Sequence, residues 1–159
     1  MKPLRLALAI VALLQLSVDC RANPQLVFSD LDRQGMATSF ADLRGRPTAI
    51  VVWKASCGPC LDELSHLRDI ASRAPHWRFV VLALDDADTA VRSLPRGAHG
   101  IGSAWIARDP PARVLATLNP TQPALPLTLA VDDHGNICAR RVGLLGSDVL
   151  QVWSAQCSK

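Results

Sequence analysis

The stretch Thr48-Ala49-Ile50-Val51-Val52-Trp53-Lys54-Ala55-Ser56-Cys57-Gly58-Pro59-Cys60-Leu61-Asp62-Glu63-Leu64 places a pair of cysteines between two regular elements. Its first six residues are a continuous apolar run rich in β-branched side chains, bounded upstream by Gly45 and Pro47, the pattern of a strand buried on both faces. Downstream, Cys60, Leu64, Leu67, Ile70 and Ala74 recur at spacings of four, three, three and four, which predicts one face of a single α-helix ending before Pro75. Ser56 is the expected cap, Pro59 suits the first turn, and Asp62 and Glu63 complement the positive end of the helix dipole. Two thiols two residues apart at a helix start can close into a disulfide and open again. Helix-terminal N–H groups stabilise a thiolate, so Cys57 is the expected nucleophile and Cys60, on the buried face, the expected resolving thiol.

Further out, residues 79–84 form a second buried strand, so strand, helix and strand predict a right-handed βαβ unit with parallel strands. Asp85, Asp86 and Asp88 read as groups that cap and solvate a short helix to Leu94, not as a metal or acid–base cluster. A loop over residues 95–102, a strand over 103–107 and a short helix over 112–118 follow. Residues 127–131 and 137–142 flank a turn at Asp132-Asp133-His134-Gly135-Asn136 and predict a β-hairpin. Ser147 is the expected cap of a last helix carrying Val149, Leu150, Val152 and Trp153. Toward the N-terminus, residues 26–31 and 36–40 flank Asp32-Arg33-Gln34-Gly35 as another hairpin. There is no internal repeat or low-complexity tract, and residues 23–159 read as one domain.

Lys2 and Arg5 precede an apolar run over residues 6–18, followed by Asp19 and Cys20-Arg21-Ala22, so residues 1–22 read as a secretory signal peptide. As a helix that run spans about 20 Å, short of a hydrocarbon core of about 30 Å; an uncleaved anchor facing the periplasm is the alternative. Asp19 argues against a lipid-modified Cys20. The 159 residues are 49% hydrophobic and 19% charged, with a net charge of +3 and no basic run, which excludes disorder and disfavours nucleic acid as a partner. Cleavage after Ala22 leaves 14 basic against 13 acidic side chains. It also leaves four cysteines, Cys57, Cys60, Cys138 and Cys157, an even number in a chain bound for an oxidising compartment. His66, His76, His99 and His134 lack ligand spacing, so no metal site is expected. Leu61 stands where attachment of a c-type haem requires histidine.

Cys57-Gly58-Pro59-Cys60 with Trp53 four residues upstream resembles the motif of the thioredoxin superfamily, and the wider pattern is similar to its TlpA/ResA-like branch of periplasmic reductases. The segments that carry the likeness are the leading hairpin with Asp42-Leu43-Arg44-Gly45-Arg46, Glu63 three residues after the second cysteine, Leu125-Pro126 before a strand, and Asp132-Asp133-His134-Gly135 with the later Gly143. The resemblance implies a thioredoxin-like α/β fold, with a mixed central sheet, flanking helices and an N-terminal β-hairpin extension. It implies a thiol-disulfide oxidoreductase acting on protein disulfides without a bound cofactor. Pro126 is then expected to be cis and to face the dithiol, with Leu125 offering backbone groups to the substrate chain. Trp53 is read first as a packing wall beneath the dithiol, with substrate contact as its other role.

Three departures from that pattern stand out. Ser56 occupies a position where the branch usually has Trp, Ser65 one where it usually has Pro, and Val51 the place of the buried acid of thioredoxins. Glu63 is the candidate replacement for that acid, against the plainer reading of a carboxylate near the helix dipole. Lys54 stands where a peroxiredoxin would need Thr, which disfavours a peroxidase. The apolar Leu125 and the Gly58-Pro59 dipeptide favour reduction over oxidation; a disulfide oxidase or isomerase, and a redox-inactive binding module built around Pro126, are the alternatives. A reductase in an oxidising periplasm needs electrons from a partner such as a membrane-embedded thiol-disulfide transporter. Cytochrome c maturation is among the tasks that the likeness suggests.

If the last helix returns antiparallel to the strand from Cys138, as the resemblance implies, strand and helix are both about 15 Å long and Cys138 and Cys157 become neighbours. A structural disulfide between them is the expectation. Two unpaired cysteines, or a pair exchanging with Cys57 and Cys60, are the alternatives.

Overall fold

The computed structural model describes residues 26–157, so the expected signal peptide lies outside the described residues. In chain order the elements are β1 (Phe28–Asp30), β2 (Met36–Thr38), a 3-10 turn (Phe40–Leu43), β3 (Thr48–Trp53), α1 (Gly58–Ser65), α2 (Leu67–Ser72), β4 (Arg78–Ala83) and α3 (Ala87–Ser93). A second 3-10 turn (Arg96–Ala98), β5 (Ser103–Ala107), α4 (Pro111–Leu118), β6 (Leu127–Val131), β7 (Ile137–Val142) and α5 (Ser147–Gln156) complete them. The strands form one mixed sheet in the order β2-β1-β5-β4-β3-β6-β7. β3 pairs in parallel with β4, and β4 with β5; the other neighbours are antiparallel.

Period-two alternation in the central strands divides the core between the two faces of the sheet. Ala49, Val51 and Trp53 of β3, with Phe79, Val81 and Ala83 of β4, pack beside Cys60, Leu64, Leu67, Leu150 and Trp153. Ile50 and Val52, with Val80, Leu82 and Leu84, pack on the other face beside Phe28, Phe40, Trp105, Val114 and Leu118. Every residue of β3 is buried, which is why the strand reads as an unbroken apolar run and not as an alternating one. Among the described residues no helix is long and apolar enough to cross a membrane.

Local structure departs from the expected pattern at three places. The single helix expected from Cys60 to Ala74 breaks at His66, between α1 and α2. There the Ser65 hydroxyl donates to the Asp62 carbonyl at 2.6 Å, and His66 Nδ1 lies 2.9 Å from the same oxygen. Side chains thus compete for a carbonyl that the helix would otherwise use. The apolar face survives the break, with Cys60, Leu64, Leu67 and Ala74 all buried. Ser56 does not cap α1: the cap position is Cys57, whose sulfur lies 3.3 Å from the Cys60 N–H. Ser147 is the first residue of α5, behind the cap position Gly146, and makes no side-chain cap.

Candidate functional site

The dithiol lies just beyond the C-terminal end of a strand buried at every position. β3 delivers Trp53 at its last position, and the Trp53 carbonyl accepts from Leu84 N–H at 3.0 Å, tying the strand end to the residue after β4. The connection then turns, with Cys57 N–H donating to the Lys54 carbonyl at 2.9 Å. Asp85 holds this turn from the neighbouring strand end, its Oδ2 accepting from Ala55 N–H at 2.6 Å. Asp86, by contrast, caps α3 through Thr89 N–H at 2.9 Å. The acidic run therefore divides its work. One carboxylate is spent on the helix, as expected, and one on the dithiol loop, which a reading by helix capping alone misses.

Cys57 and Cys60 are joined by a disulfide, with Cα atoms 5.3 Å apart. Cys57 is partly exposed, whereas Cys60 is 0% exposed and packs in the core beneath it. Trp53 is 1% exposed and packs in the same core cluster as Cys60. Leu125 is partly buried against the same core cluster as Cys57, and the Leu125–Pro126 peptide bond is cis. The antiparallel register Val52 to Leu127 sets Pro126 beside the end of β3. The Pro126 carbonyl accepts from Gly143 N–H at 2.9 Å, where a φ of +102° makes glycine the favoured residue.

Glu63, the only glutamate of the chain, lies one turn after Cys60. It is 4% exposed, outside the first helical turn, and not a surface complement to the dipole. One carboxylate oxygen accepts from the Leu145 backbone N–H; the other, Oε2, has no hydrogen-bond partner among the described residues. Burial pushes its pKa up from the ordinary glutamate value, while the Leu145 N–H and the Arg141 charge pull the other way. Val51, where the resemblance would place a buried acid, faces Thr128 across the β3–β6 pair, and Thr128 Oγ1 is buried without a hydrogen-bond partner among the described residues. No titratable group replaces that acid on β3 itself.

A group whose pKa is raised by folding holds its proton to higher pH in the native state than in the unfolded chain, so it costs stability as pH rises past its unfolded value. Glu63→Gln is therefore expected to match the parent near pH 4 and to gain on it progressively as pH rises above about 4.5, the ordinary glutamate value. Urea denaturation of both proteins across pH 4 to 8 measures this. A difference that stays constant with pH would contradict a buried, proton-holding Glu63.

Cys138, at the second position of β7, and Cys157, just after α5, are also joined, with Cα atoms 5.4 Å apart. Among the described residues no group of histidines, cysteines and carboxylates could hold a metal ion.

No family model matches the chain, and no curated protein does. Solved structures do. MTB DsbF, in mixed oxidized and reduced forms, superposes with a TM-score of 0.64 at 24% identity, over 84% of this chain and 96% of that one. The thioredoxin domain of a Bacteroides vulgatus thiol-disulfide oxidoreductase gives a TM-score of 0.64 at 15% identity, over 86% and 99%. The chain has the thioredoxin fold. A secreted Mycobacterium tuberculosis disulfide oxidoreductase homologous to E. coli DsbE shares this thioredoxin fold, with a TM-score of 0.59 at 20% identity over 84% and 96%. In each case the match extends over nearly the whole of the other chain.

Proposed function

We propose that the chain is an exported thiol-disulfide oxidoreductase that reduces protein disulfides through Cys57 and Cys60. The observation that carries this reading is the asymmetry of the pair: a partly exposed Cys57 at the cap of α1 and a fully buried Cys60 in its first turn. In the reduced protein the Cys57 thiolate is stabilised by the helix terminus, with the Cys60 N–H directed at its sulfur. The thiolate attacks one sulfur of a substrate disulfide, forms the Cys57–substrate bond and expels the other substrate sulfur as a thiolate, which takes a proton from water. Cys60 then loses its proton and attacks the Cys57 sulfur. The Cys57–Cys60 bond forms, the substrate bond breaks, and two electrons have passed to the substrate.

Glu63 is the proposed acceptor of the Cys60 proton. Positions three apart share a helix face, both residues are buried, and a carboxylate with its pKa raised by burial is better matched to a thiol than an exposed one. Leu125 and Pro126 are the proposed edge along which the substrate backbone lies. Return to the dithiol requires an external thiol donor, for which a membrane-embedded transporter is the proposed source. Export is supported by the leader-like residues 1–22 and by the secreted character of the DsbE-like structure. Reduction of insulin by the dithiol form, followed as turbidity, tests the activity; an inert dithiol would leave a binding module as the better reading.

A further inference from the structure

The Leu144–Leu145 peptide group sits between the side chains of Glu63 and Arg141. Its N–H donates to Glu63 Oε1, and its carbonyl, Leu144 O, accepts from Arg141 Nε at 2.8 Å. Arg141 lies on the edge strand β7 and is exposed, whereas Leu145 is buried. The carboxylate and the guanidinium thus bind opposite ends of one dipole, Arg141 pulling electron density toward the carbonyl oxygen and leaving the N–H a stronger donor. Among the described residues this N–H is the hydrogen bond that Glu63 receives.

We propose that Arg141 is a positioning residue for Glu63, which holds and polarises the Leu144–Leu145 peptide so that its N–H stays on the carboxylate. The inference deepens the reading of Glu63 as the acceptor for Cys60 and rests on it for its functional meaning, not for its geometry. A cavity of about 400 Å³ adjoins Glu63. Asp62 and His66 at the end of α1, Asp69 on α2, Arg73 just after it, and Asp148 on α5 are the other titratable side chains that line it. Among the described residues none of these five is joined to the carboxylate by a hydrogen bond, and the charge that acts on it is that of Arg141. Arg141 is linked to it through a single peptide unit. Loss of the Arg141 side chain removes both a positive charge and the hold on that peptide, and each change makes the carboxylate harder to ionise.

Because Glu63 is the only glutamate, labelling the full protein with 13C-glutamate yields one carboxyl resonance to titrate. With the Cys57–Cys60 pair oxidised, Arg141→Ala is expected to move the Glu63 midpoint upward by some tenths of a pH unit, the scale of one exposed charge. Arg141→Lys, which keeps the charge, is expected to recover part of that shift. A midpoint that Arg141→Ala leaves in place or moves downward would overturn the proposal, since a merely structural role for an exposed edge-strand arginine does not set the midpoint of a buried carboxyl. In the reduced protein the pH profile of mixed-disulfide resolution is expected to move with the midpoint, and to be insensitive to Arg141→Ala once Glu63 is Gln. A resonance that shifts while resolution does not would leave Arg141 as the positioning residue and remove Glu63 from the path of the Cys60 proton.

Discussion

Cys57→Ser is expected to lower disulfide reduction by three or more orders of magnitude, whereas Cys60→Ser is expected to retain the first attack and stop after it. The difference follows from burial. Cys57 is partly exposed and sits at the helix cap, so its thiolate can meet a substrate disulfide. The sulfur of Cys60 is enclosed and reaches only what is already bound to Cys57. Cys60→Ser should therefore accumulate a covalent complex with substrate, visible on a non-reducing gel and released by dithiothreitol, while Cys57→Ser should yield none. Equal behaviour of the two variants, or faster alkylation at Cys60 than at Cys57 in the reduced protein, would reverse the assigned roles.

Removal of the second disulfide is the other large effect. Cys138 and Cys157 are 19 positions apart, and closing a loop of that length stabilises by about 3 kcal/mol in the chain-entropy model. The bridge fastens the end of α5 to β7 on the side where Trp153 packs against Trp77, ring centroids 6.5 Å apart. The double variant Cys138→Ser/Cys157→Ser is expected to melt about 10 to 15 °C lower, with reduction at 25 °C unchanged. Loss of activity without loss of stability would indicate instead that this pair exchanges electrons with the first.

How much of this is visible in the residues depends on the range of the interactions involved. The buried β3, the parallel β4 and the dithiol at the strand-to-helix junction are legible because each rests on periodicity or spacing within about twenty residues. The α1–α2 break is not, since it arises from Ser65 and His66 competing for a single carbonyl, a geometry that an apolar pattern does not encode. The roles of Asp85 and Glu63 are likewise set by partners far along the chain. Asp85 reaches back 30 positions to Ala55 N–H, and Glu63 is met by an N–H 82 positions later. An acid near a helix start reads locally as a dipole complement. Only the arrival of the loop before α5 makes Glu63 a buried group with a raised pKa. Trp53 shows the converse, because its burial follows from its place at the end of an unbroken apolar strand.

The redox equilibrium of the Cys57/Cys60 couple against a glutathione buffer, read by alkylation of the freed thiols, tests the proposed reducing role most directly. A thioredoxin-like reductase should poise near about −270 mV, and a value near about −120 mV, that of a strong oxidase, would contradict it.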